Sequence, residues 1–156
     1  MAGPNEKAMV ETARGVNGAA HKHAIEFMAL YHRGTVVRFG SAPGMAADTK
    51  RTRNTSRVGV NKAPGFVPPK GKVPHLMTTR EVRSTLRKNS KLGDRFIWEN
   101  TSVVAAVLDQ GRRFNTKLGR ITGSEKNPDG WREQAIQSAL QGVRNLTHDL
   151  GSRRAR

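Results

Sequence analysis

The sequence predicts an α+β fold: a small antiparallel β-sheet covered by a long N-terminal helix and a C-terminal helix, with a long basic extended loop. Three observations point to it. Apolar residues recur at helical spacing at both ends, short β-branched or aromatic runs lie between them, and the middle is rich in Pro, Gly, Lys and Arg. Leu, Ile, Val and Phe total only 31 of 156 residues, so the core is small and the chain sits at the border of independent folding. The length predicts a single domain over residues 1–151, followed by a basic tail at 152–156.

From Asn5 to about Arg33, the residues Met9, Ala13, Val16, Ala20, Ala24, Phe27, Met28 and Tyr31 stand three or four apart and form one helical face. Asn5 is placed as the N-cap and Gly34 as the stop. Gly15 and Gly18 weaken the middle by about 1 kcal/mol each relative to Ala. The first turns are therefore expected to fray or to form only against a neighbour.

Strand runs are expected at Val36 to Phe39, Val58 to Val60, Arg95 to Glu99 and Val103 to Leu108. Charge is unevenly spread: residues 50–91 carry twelve bases and one acid, against a net charge of +16 for the whole chain. Pro64, Pro68, Pro69 and Pro74, with Gly59, Gly65 and Gly71, interrupt helix and strand there. The segment 50–91 is therefore expected to be a basic extended excursion. A loop of that length is functional or orders on assembly.

At the far end Asn127, Pro128 and Asp129 stand in the order of a helix start. Trp131, Ala135, Ile136, Ala139, Leu140, Val143, Leu146 and Leu150 then form a stripe that Gly151 ends.

Several chemistries find no support. The chain has no Cys, which removes disulfides, thiolate nucleophiles and Cys-based zinc sites. His21 and His23 point about 200° apart around a helix and cannot share a metal ion well. No hydrolase elbow, zinc-protease or phosphate-loop motif occurs. Asp94, Glu99 and Asp109 have no spacing diagnostic of a two-metal site. The chain is expected not to be an enzyme and to need no cofactor or metal. No membrane partner is expected either, because no run approaches a membrane span and the N-terminus lacks the apolar core of a secretory signal.

The basic run Lys50, Arg51, Arg53, Arg57, Lys62 is the strongest candidate site, facing either a neighbouring subunit or DNA. Aromatics are too few for stacking on single strands. Trp98 on a strand and Trp131 at a helix start are expected to be packing anchors in the core or at a subunit interface.

Three patterns resemble the neck or tail-completion proteins of tailed bacteriophages, which join the DNA-filled head to the tail. Ala47-Asp48-Thr49-Lys50-Arg51-Thr52-Arg53-Asn54 with Val58-Gly59-Val60 is similar to that family's strand entry, although Lys50 replaces a usual Gly and the usual Trp is absent. Phe96-Ile97-Trp98-Glu99-Asn100, then Val107-Leu108-Asp109-Gln110-Gly111, is similar to its strand and following turn, matched at Asn100 and Gly111, with Asp109 in place of Glu and a usual Tyr missing. Ser124 to Gly130 is similar to its lead into a final helix, matched at Pro128 and Gly130. The resemblance implies a non-enzymatic virion component at the head–tail junction, present in host cytoplasm during assembly. It implies a six-fold homo-oligomeric ring flanked by head-completion or connector proteins and by tail-terminator or tail-tube proteins, with phage DNA in the channel as a further candidate partner. A stand-alone, non-specific nucleic-acid-binding protein is the alternative that composition alone favours, and a phage-encoded nuclease or protease ranks last.

Overall fold

The computed structural model describes residues 4–36, 50–102, 112–115, 117, 120–123 and 131–154. In order these form α1 (Pro4–Val36), α2 (Lys50–Asn54), β1 (Ser56–Val60), α3 (Thr79–Asn89), β2 (Phe96–Asn100), β3 (Arg112–Asn115), β4 (Arg120–Gly123) and α4 (Trp131–Arg154). The class is α+β, with a long N-terminal and a C-terminal helix as expected, but α1 starts at Pro4, ahead of the Asn5 expected to cap it, and α4 runs through Gly151, expected to end it, as far as Arg154 of the expected tail.

β1 and β2 pair antiparallel, Ser56 opposite Asn100 and Val60 opposite Phe96. Both ends are clamped by side chains. At one end Thr55 Oγ1 donates to Asn100 Oδ1 at 2.8 Å, and Asn100 Nδ2 donates to Ser56 Oγ at 2.8 Å. At the other, Asn61 adopts φ 61°, a left-handed conformation that Asn tolerates better than most residues. There its amide donates to Asp94 Oδ1 at 2.8 Å and accepts from the Arg95 N–H at 3.0 Å. β3 and β4 form a separate antiparallel hairpin, with Phe114 opposite Ile121. Of the other strand runs expected from the sequence, Val103 to Leu108 lies outside the described residues, while Val36 belongs to α1 and the rest of Val36 to Phe39 lies outside them.

The core joins Ile25, Met28 and Ala29 of α1 to Val58 of β1 and to Val82 and Leu86 of α3, with Tyr31, Val60, Met77, Phe96 and Trp98 packed against it. α4 lies against α1 through small residues. Ala135 and Ala139 are buried, and a Cβ built on Gly34 would stand 3.3 Å from that of Ala135. Gly34 therefore does not stop α1. The helix continues to Val36, because Gly34 is the point at which a second helix approaches too closely for most side chains. α4 reaches the sheet at Arg132, whose guanidinium lies 5.7 Å from the centre of the Trp98 ring.

The excursion is shorter than expected. Within 50–91, the long stretch without regular structure is confined to residues 61–78. The rest contributes α2, β1 and α3. Thr78 caps α3 by accepting from the Glu81 N–H at 3.2 Å, while the Glu81 carboxylate accepts from the Thr78 N–H at 2.6 Å, a reciprocal box that satisfies two otherwise orphan donors. Val82 and Leu86, four apart, then bury the helix's apolar side. Burial of this capped turn outweighs the Pro and Gly signals that surround it.

Candidate functional site

The basic run does not lie along one extended segment with its alternate residues facing the same way. Lys50, Arg51 and Arg53 stand on α2, Arg57 on β1, and Lys62 is exposed in the bend after β1. The side chain of Lys50 lies outside the described residues. Arg51 donates to the carbonyls of Lys72 at 2.9 Å and Pro69 at 3.1 Å. Arg57 donates to the carbonyls of Asn54 and Ser56, each at 2.7 Å, and of His75 at 3.0 Å. Its guanidinium also stacks 3.9 Å from the centre of the Phe66 ring, a cation–π contact. Burial lowers the Arg57 pKa, with Glu81 opposing that shift. Arg53 is half-buried, and its Nε has no hydrogen-bond partner among the described residues.

These arginines strap residues 61–78 to the body. Proline-rich chain cannot satisfy its own carbonyls through a ladder, and the five donors of a guanidinium suit that task. Asn54 joins them, donating to the Pro74 carbonyl at 2.7 Å. From the opposite side, Glu99 accepts from the Gly65 N–H at 2.7 Å and Thr101 donates to the Phe66 carbonyl at 2.7 Å. Gly59 completes the fit, because a Cβ there would meet the Lys62 carbonyl and Pro64.

Trp98 is half-buried against the core. Its indole N–H donates to His32 Nδ1 at 3.2 Å, while His32 Nε2 stands 2.7 Å from the Met77 carbonyl. Because Nδ1 accepts and a carbonyl can only accept, the proton sits on Nε2 of a neutral ring. Burial lowers the His32 pKa, with the Met77 hydrogen bond opposing it. Tyr31 meets the Trp98 ring edge-on with centroids 5.9 Å apart. Trp131 heads α4, but its side chain lies outside the described residues.

The acids have local work. Asp94 accepts from Asn61 and from the Lys91 N–H at 2.7 Å, and these bonds hold its pKa below the ordinary value, the Asn61 bond most strongly. Glu99 serves the strap, and Asp109 lies outside the described residues. His21 packs against Phe96 at 6.2 Å and stands 3.3 Å from Ser90 Oγ. Among the described residues no group of three or more His, Asp or Glu side chains could hold a metal ion, and no helix is long and apolar enough to cross a membrane.

Two surfaces lie apart from the basic run, and the sequence announces only the second of them. One is α3, whose Arg80, Arg83, Ser84, Arg87 and Lys88 line an open groove. Arg83 is anchored there by a two-pronged ion pair with Glu26 of α1, its Nε donating to Oε2 at 2.8 Å. The Thr78–Glu81 capping spacing was the available signal. The other is the N-terminal half of α1, exposed throughout residues 7–20. No family model matches the chain, and searches of curated proteins and of solved structures return no match.

Proposed function

We propose that this chain is a structural virion protein of a tailed bacteriophage, one subunit of a homo-oligomeric ring in the neck that joins the DNA-filled head to the tail. The observation that supports it most is the unburied half of α1. Met9 and Val16, two turns apart on one face, are 72% and 63% exposed, and Gly15 and Gly18 have open space around them. A helix that carries an apolar stripe needs a surface to cover it, and a head-to-tail contact with the next subunit covers one such stripe per subunit and closes into a ring. The three patterns that resemble neck proteins support a position for the ring at the head–tail junction, between connector and tail-terminator or tail-tube proteins.

The second reading, a stand-alone nucleic-acid-binding protein, draws on the net charge of +16. Electron microscopy separates them. Rings of the purified protein, lost in Met9→Glu/Val16→Glu with an unchanged melting temperature, support the neck reading. Protein that stays monomeric at every concentration, together with phage particles that join heads to tails without it, overturns that reading.

A further inference from the structure

We infer that the exposed face of α3 is a docking surface for the phosphate backbone of duplex DNA, with Arg80, Arg87 and Lys88 as the phosphate contacts and the Ser84 hydroxyl as an added donor. This goes beyond the ring reading and does not depend on it.

The geometry begins with helical spacing. Arg80, Ser84, Arg87 and Lys88 fall at i, i+4, i+7 and i+8, so they share one face, and all four are exposed. Val82 and Leu86 on the other side are fully buried, which fixes the direction in which the basic face looks. Arg83, at the edge of that face, spends its fork on Glu26 and ties α3 to α1. The basic row is thus held on a braced helix, whereas a charge run on a loop would not be.

Three features choose the partner. First, the row is uncompensated: Glu81, the one acid of α3, is engaged by Thr78 and by His75 at 3.0 Å. Among the described residues Arg80, Arg87 and Lys88 form no salt bridge. Second, the face carries no apolar residue, whereas a protein interface gains its strength from buried aromatic or aliphatic anchors. Phosphates need only cations and hydroxyls. Third, it carries no aromatic, which single strands require for stacking. From position 80 to 88 the row spans about 12 Å of helix, and duplex DNA offers one charge per about 1.7 Å of its axis.

The test uses the full chain and a short fluorescein-labelled duplex, with anisotropy followed across a salt series. Arg80→Gln/Arg87→Gln/Lys88→Gln is expected to weaken binding equally for unrelated sequences and to flatten the log–log salt slope by about 3, one unit per phosphate contact. Gln matches Arg and Lys in helix propensity and the buried side is untouched, so the melting curve should match the parent's. Lys62→Gln/Lys70→Gln/Lys72→Gln removes the same charge from exposed sites of the strap and should leave the slope nearly unchanged. Equal losses in the two triples would assign binding to net charge and overturn the site. An α3 triple that binds DNA like the parent but blocks particle joining would make the face a protein interface instead, and single strands that compete as well as the duplex would also overturn the proposal.

Discussion

Trp98 and His32 hold each other in register: the indole N–H ends on His32 Nδ1 at 3.2 Å, and that single bond connects β2 to the buried turn of α1. His32 is wholly buried, so a substitution that removes the indole donor leaves an imidazole nitrogen without a partner. Trp98→Phe should cost about 1–3 kcal/mol, measured by urea unfolding. A loss confined to a few tenths would show that water replaces the indole.

The burial of His32 predicts an acid limit. Burial depresses the His32 pKa from 6.5, so below that value the unfolded chain takes up a proton that the folded chain refuses. Stability from this group is whole above about pH 6.5 and falls as the pH drops through the depressed value. A second loss belongs to Glu81, whose pKa its bonds to Thr78 hold down at about 2. Its contribution is intact above the ordinary carboxylate range and disappears as the pH falls toward 2. Melting temperatures of the parent and of Glu81→Gln should fall together down to about pH 5, and only the parent should lose this further contribution below that point.

The strap predicts where local opening begins. Arg57→Gln removes the charged donors to the Asn54, Ser56 and His75 carbonyls, and should cost about 1.5–3 kcal/mol. In hydrogen exchange, residues 61–78 should lose protection first, while β1 and α3 stay protected. Uniform loss across all three would mean that strap and sheet open as one unit.

The two close approaches between α1 and α4 should respond differently. At Gly34 a new Cβ meets the Ala135 Cβ at 3.3 Å, so Gly34→Leu should overpack the crossing and cost about 1–3 kcal/mol. At Gly142 the neighbour is Leu30 Cδ1 at 2.7 Å, the far end of a flexible side chain. Gly142→Ala should be near neutral, because a rotamer shift of Leu30 is offset by the better helix propensity of Ala. Thermal melts of the two variants check the contrast.

In the exposed arm, Gly15→Ala and Gly18→Ala face open space and should each raise helix stability by about 1 kcal/mol. Circular dichroism should show added helicity with no change in the core's melting transition.

These contrasts trace which parts of the molecule could be read in advance. Val58, Val60, Phe96 and Trp98 announce β1 and β2 because their β-branched and aromatic side chains suit a half-buried pleat. The stripes announce α1 and α4 by period alone. Gly34 misled because the same residue serves a helix end and a close helix crossing, and only the partner's position tells them apart. α3 was hidden because two core residues, Val82 and Leu86, carry its burial within a segment dominated by charge. For the basic run, sequence supplies the cations but not their acceptors, and the carbonyls that engage Arg51 lie 18 and 21 residues downstream.

The continuity of α1 also makes it a mechanical element. Its first 17 residues, 4–20, project over about 25 Å, and the same rod ends in Ile25, Met28, Ala29 and His32 at the centre of the molecule. A hold on the tip is therefore a load on the core, transmitted along one backbone rather than through a loop. Gly15 and Gly18 sit between the gripped end and the seated end, where a Gly pair gives a helix its compliance. A neighbour that grips Met9 can thus tilt the arm about these two residues, which take up part of the load before it reaches the seat around His32 and Trp98.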